Sequence, residues 1–199
     1  MKKKLSTILF IILLIIIAIV GGLAICQKKV TKITPEDILK KTFEVNAYNT
    51  DITYTVKNAR GQFEEEGCIE YHKDQGTRIK LKNKEQLFKN DKITIKYSNE
   101  DKIFEVNKDF DNFYRYLFIN EIPSFLRDEN TISYNLQTLE EKQYLILEFN
   151  TLSGNDNLYK GKILIDAVEK VPVETIIYDK KGEERIIAKY KNFNRSNKK

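Results

Sequence analysis

From residue 51 onward, apolar and polar side chains alternate with a period of two over most of the chain. Ile52, Tyr54 and Val56 alternate with Thr53, Thr55 and Lys57, and Ile69 and Tyr71 with Glu70 and His72. The same pattern returns at Ile79 and Leu81, at Leu87–Phe88, at Ile93, Ile95 and Tyr97, and from Ile103 to Val106. It continues at Ile132, Tyr134 and Leu136, at Leu145, Leu147 and Phe149, and at Ile163 and Ile165. Val173–Tyr178 and Ile186–Tyr190 close it as a last hairpin over Asp179–Gly182. Successive side chains of a strand point to opposite faces, so this alternation predicts about ten half-buried strands. The intervening positions are charged or Thr, which predicts an antiparallel sheet with one wet face. Glu64, Glu65 and Glu66 read as a solvated loop before a strand, and Glu140 and Glu141 as an exposed turn between strands.

The period changes twice. Thr34 can cap a helix that has Pro35 at its first position and Glu36 and Asp37 in its positive first turn. The helix is predicted to run to about Ala47, with Ile38, Leu39, Phe43 and Ala47 as its buried stripe. Between Asp111 and Arg127 the apolar residues Phe113, Tyr114, Leu117 and Phe118 again fall at helical spacing and predict one or two short helices. A meander of so many antiparallel strands curls, and unless it closes, its concave apolar face needs a cover. The expected class is therefore α+β and β-rich: an unclosed antiparallel half-barrel of about ten strands covered by short helices. Its interior reads equally as a filled core or as an apolar pocket.

Before this domain, Lys2, Lys3 and Lys4 precede a run from Leu5 to Ile25 without a charged residue. About 20 apolar residues span the roughly 30 Å hydrocarbon core of a bilayer. The lysines place the N-terminus in the cytoplasm and the chain beyond the apolar run outside. Two readings of residues 1–27 stand, an uncleaved membrane anchor and a lipoprotein signal. Leu23, Ala24, Ile25 and Cys26 have the order of a lipobox, in which Cys26 would be acylated, although Ile25 is larger than the residue usual before the cysteine. In either case residues 31–199 form one tethered extracytoplasmic domain.

The lysines at 2, 3, 4, 28 and 29 account for the whole formal net charge of +5, so residues 31–199 are balanced. No basic footprint for nucleic acid remains, and no nucleic-acid partner is expected. Beyond Cys26 the cysteine and histidine inventory is Cys68 and His72. Four positions apart on one strand, they stand about 13 Å apart at 3.3 Å per residue, too far for a nucleophile and its base. One His and one Cys also cannot supply the ligands of a usual zinc site. No enzyme activity, metal or cofactor is expected. The aromatic group Phe110, Phe113, Tyr114, Tyr116 and Phe118 is the candidate for partner or ligand binding, since aromatics collect at interface centres and pocket mouths. Its competing reading is core packing of the covering helices on the sheet. Exposed strand edges offer a further route to a partner, including a homodimer by strand exchange.

The strand at Ile52–Val56, the Gly76-Thr-Arg-Ile-Lys segment and Phe88-Lys-Asn-Asp-Lys-Ile-Thr-Ile carry a family resemblance. So do Lys162–Asp166 leading to Val171-Pro172, and the Tyr178–Gly182 turn before Lys189–Phe193. In this order, from about Pro35 to Asn194, the chain resembles the LolA-like family of lipoprotein carriers and, within it, the GerS-type germination lipoproteins of spore formers. That resemblance implies a half-barrel used as a protein-docking surface, with a spore-cortex N-acetylmuramoyl-L-alanine amidase as the partner that it binds and activates during germination. It would place the protein on the extracytoplasmic side of a membrane in the spore envelope. The alternative within the same family is a carrier that holds lipid or lipoprotein acyl chains in the half-barrel.

Overall fold

The computed structural model describes residues 33–110, 112–126, 132–151 and 154–196. The chain divides after Ile33, and the unit Thr34–Lys199 is described by itself. The Leu5–Ile25 run and Cys26 lie outside the described residues, among which no helix is long and apolar enough to cross a membrane.

The domain opens with helix α1 (Pro35–Phe43), capped as expected by Thr34, whose hydroxyl accepts the Asp37 amide. The helix ends at Phe43 rather than near Ala47, because Ala47 already pairs with His72 in the sheet. Ile38 is buried as predicted, and so is Thr42, whose hydroxyl donates to the carbonyl of Lys170 at 2.9 Å. That bond removes the cost of burying a polar group on the packed side of the helix.

Six strands follow: β1 (Ala47–Asn58), β2 (Gly61–His72), β3 (Gly76–Leu81), β4 (Lys84–Lys89), β5 (Lys92–Tyr97) and β6 (Ile103–Asn107). After the helical insertion come β7 (Ile132–Leu139), β8 (Lys142–Asn150), β9 (Lys160–Asp166), β10 (Pro172–Tyr178) and β11 (Glu184–Arg195). The described strands thus number eleven, against about ten expected, in one antiparallel sheet of order β6-β5-β4-β3-β2-β1-β11-β10-β9-β8-β7. The first and last strands pair at its centre, from Tyr48↔Arg195 to Val56↔Ile186. Glu64–Glu66 belong to β2 instead of a loop, since the β1–β2 hairpin pairs without interruption to Asn58↔Gly61.

Consecutive in the chain, β6 and β7 are the two free edges of the sheet. The segment between them has to cross from one edge to the other, and it does so over the concave face. It forms a 3-10 turn (Lys108–Phe110), α2 (Asn112–Arg115) and α3 (Ile122–Phe125). Leu117, Phe118, Ile119 and Ile122 of this segment have no exposed surface. The concave face contributes Ile52, Ile69, Ile79 and Ile93 from one half of the sheet and Leu145, Leu147, Ile163 and Ile177 from the other, all buried. The Phe118 ring meets that of Phe88 edge-on, with centroids 4.9 Å apart.

Several polar groups carried into this interior find the partners that burial calls for. Tyr190 donates to the carbonyl of Leu117 at 3.0 Å and shares a hydrogen bond with Thr175. Tyr48 donates to the side-chain oxygen of Asn120 at 2.9 Å, and the Asn120 amide donates to Thr77 at 3.1 Å. Burial raises the pKa of both Tyr48 and Tyr190, so both phenols stay neutral donors. The crossing segment is therefore bonded to both halves of the sheet.

Candidate docking surface

The turns β1–β2, β3–β4 and β5–β6 stand at one end of the sheet, as antiparallel succession dictates. At that end the concave face carries aromatics that the crossing segment leaves partly uncovered. Phe63 is 54 % exposed, Phe104 42 % and Tyr97 39 %. Inward parity places all three, since Phe63 pairs with Val56, Phe104 with Ile95, and Tyr97 with Lys84. Tyr97 and Phe104 pack edge-on at 6.0 Å.

Between them sits a polar cluster at the rim. Tyr54 donates to the Glu65 carboxylate at 2.7 Å. A phenol has one hydrogen to give. The 3.1 Å contact between the Tyr54 and Tyr114 hydroxyls therefore has Tyr114 as donor. The Glu65 carboxylate also accepts the Lys82 amide, and the Lys84 ammonium lies 4.9 Å from the centre of the Tyr114 ring. Burial, followed by the bonds to Tyr114 and Glu65, pushes the Tyr54 phenol far up, which keeps it protonated as the link between strand, carboxylate and helix.

The five aromatics singled out in the sequence separate in this setting. Tyr116 and Phe118 are buried at 2 % and 0 % exposure, and Tyr114 at 6 % turns its ring edge toward Tyr54. Phe113 is half-buried and packs against Tyr54 at 6.1 Å. It also walls a depression of about 410 Å³ with Val56, Ala59, Leu158 and Ile186. Phe110, 77 % exposed, stands out from the crossing segment. Phe63, Tyr97 and Phe104 are additions from the structure. Their signal in the sequence was an aromatic at an inward position next to a turn, where the covering segment runs out.

Cys68 and His72 both lie on β2, on its convex side. Burial, and next the Glu70 carboxylate, raise the Cys68 thiol pKa, the opposite of what an activated nucleophile needs. His72 accepts the Asp74 amide at 3.3 Å.

The family model of the sporulation protein YdcC-like group matches residues 3–199. The chain belongs to the YdcC-like family of sporulation proteins. No curated protein matches it. Among solved structures, an uncharacterized conserved protein from Thermus thermophilus shares the fold at 10 % identity and a TM-score of 0.52, over 82 % of this YdcC-like chain and 86 % of that one. The structure of the CwlD amidase from Clostridioides difficile in complex with the GerS lipoprotein matches at 21 % identity and a TM-score of 0.46, covering 81 % of this chain and 93 % of that one. The LolA superfamily protein NE2245 from Nitrosomonas europaea matches at 9 % identity and a TM-score of 0.42, over 83 % and 95 %. Each of these is a likeness of fold.

Proposed function

We propose that this YdcC-like protein is a membrane-tethered, extracytoplasmic binding protein that docks and activates an N-acetylmuramoyl-L-alanine amidase of the spore cortex in germination. The observation that carries the reading is the occupied concave face. A carrier of acyl chains needs a dry cavity of several hundred Å³ there. Leu117, Phe118, Ile119 and Ile122 fill the middle of that face instead, fully buried, and the depression of about 410 Å³ beside Phe113 lies open at its margin. What is left for recognition is the rim, where Phe63, Tyr97, Phe104 and Phe113 present aromatic surface of the kind that anchors protein interfaces, together with the exposed Phe110 of the crossing segment. Membership in a sporulation family and the GerS-type sequence segments support the choice of partner. The tether is residues 1–27, by helix or by acylated Cys26, and the reading assigns no catalytic group, metal or cofactor to the chain itself.

Affinity purification of the full-length chain with extracytoplasmic amidases of the same cells, with bound lipid assayed in parallel by mass spectrometry, tests this. Stoichiometric amidase without lipid is the expected result, and Phe110→Glu together with Phe63→Glu is expected to weaken the complex by about tenfold or more. Co-purified acyl chains with no amidase would overturn the reading in favour of a carrier.

A further inference from the structure

The convex side of the sheet differs between its halves in a way the amidase reading does not use. Over β8–β11, strand alternation brings Ile146, Leu164, Ile176 and Ile187 to the convex side, with Ile146 opposite Leu164 and Ile176 opposite Ile187. Beside this strip opens a groove of about 690 Å³, with Leu139, Tyr144, Leu164 and Val173 as its apolar lining and Lys189 and Lys191 on one wall, where Glu174 is the cross-strand neighbour of Lys189. The wall across from the lysines is the tip of the β7–β8 hairpin.

That tip is built against local preference. Glu140 and Glu141 have φ of 48° and 67°, so both are left-handed, the conformation for which a two-residue hairpin turn prefers Asn-Gly. The turn holds two carboxylates and the 40 % exposed Leu139 at the end of an otherwise regular hairpin. Glu140, Glu141, Lys189 and Lys191 take part in no ion pair among the described residues. On the convex side of the other half, Lys80 pairs with Glu70, Arg78 with Glu85 and Lys92 with Glu105.

We propose that the convex face of β8–β11 is a two-fold interface for a second copy of this chain. Leu139 of each tip enters the other copy's groove against Leu164 and Val173, and Glu140 and Glu141 of each tip face Lys189 and Lys191 of the other. A ligand of one charge would be met by one sign of charge. This patch carries the two acids of the tip at one end and, at the other, two lysines against the single carboxylate of Glu174, so the ends keep opposite net charge across the apolar lining, the self-complementary arrangement that an isologous contact requires. The interface lies on the opposite side of the sheet from the aromatic rim, so a dimer leaves both rims open. It is also distinct from exchange or pairing of the edge strands β6 and β7.

Sedimentation of the full-length chain in detergent micelles, with far-ultraviolet circular dichroism as the check on folding, tests this. The natural chain is expected to have a two-chain mass at micromolar concentration, weakening as salt is raised because exposed charges are screened. E140K/E141K and K189E/K191E are each expected to weaken self-association at least tenfold, by placing like charges opposite one another. Mixed in equal amounts, the two variants are expected to recover a heterodimer, since lysine tips then meet lysine-free glutamate walls and glutamate tips meet lysine walls. A monomeric natural chain, a dimer that persists in both folded variants, or no recovery on mixing would each overturn the proposal.

Discussion

Seen from the concave side the two halves of the sheet are alike, each lining the interior with buried Ile, Leu and Phe. From the convex side they are different surfaces. On β2–β6 that side is charged and cross-linked by the pairs Lys80–Glu70, Arg78–Glu85 and Lys92–Glu105. On β8–β11 it has such a pair in Lys160–Glu148, and otherwise carries Ile146 at 8 % exposure and Ile176 at 7 %, with Leu164 and Ile187 half-buried between charged neighbours. The first half fits the expected sheet with one wet face, and the second does not. One sheet can thus present a solvated surface in one half and an interaction surface in the other.

Four measurements test that contrast. Phe118→Ala removes the ring that packs on Phe88, and it should cost about 3–5 kcal/mol of stability in urea unfolding, because a fully buried ring leaves a cavity on the concave side. Ile176→Ala, on the convex side of the apolar half, should cost about 2 kcal/mol in the same assay, at the low end for a buried Ile because its site opens toward the surface. Its counterpart in the charged half, Lys80→Ala, should cost under about 1 kcal/mol, since the Lys80–Glu70 pair is more than a third exposed at both partners and solvent screens it. If Lys80→Ala and Ile176→Ala cost the same, the contrast between the two faces fails.

The smallest effect is one of pH. Asp37 lies below its ordinary 3.8 because Lys170 donates to it. Asp179 also lies below 3.8: burial alone would raise it, but the Glu183 and Lys181 amides and the Arg185 guanidinium outweigh that. A carboxyl more acidic in the folded chain than in the unfolded one stabilises the fold above the unfolded value and loses that contribution as pH falls through the folded one. The loss should appear only below about pH 4. Asp179→Asn should flatten the acid limb of a pH–stability curve, and an unchanged slope would assign acid sensitivity to other groups.

Much of the fold was legible because alternation is local. Ile52–Val56, Ile93–Tyr97 and Ile186–Tyr190 announce strands, and Thr34-Pro35-Glu36-Asp37 announces a helix start, without reference to anything distant. The two-sided burial of β8 and β10 also left a trace, the unbroken runs Leu145-Ile146-Leu147 and Ile176-Ile177, which mark a strand covered on both faces. Alternation alone predicts ordinary half-wet strands there. Three acids in succession at Glu64–Glu66 look solvated and so suggest a loop. In the fold, Thr55 donates to Glu64 and Tyr54 to Glu65, so the acids extend the hairpin. The aromatic group was visible as a group, but its division into buried Tyr116 and Phe118 and exposed Phe110 was not. Which residues a covering segment leaves bare depends on where that segment ends relative to the sheet.

Local pattern was enough to establish a β-rich domain with one capped helix, one helical interruption and apolar inward residues. Those features follow from side-chain period and turn chemistry, which act over a few residues. The pairing of β1 with β11, which makes β6 and β7 the edges, came only with the folded chain. The interrupting segment must then cross and fill the concave face. The same strand order sets the acids at 140 and 141 across a groove from the lysines at 189 and 191. These are relations between residues far apart in the chain, fixed by strand order and register, and no local pattern carries them.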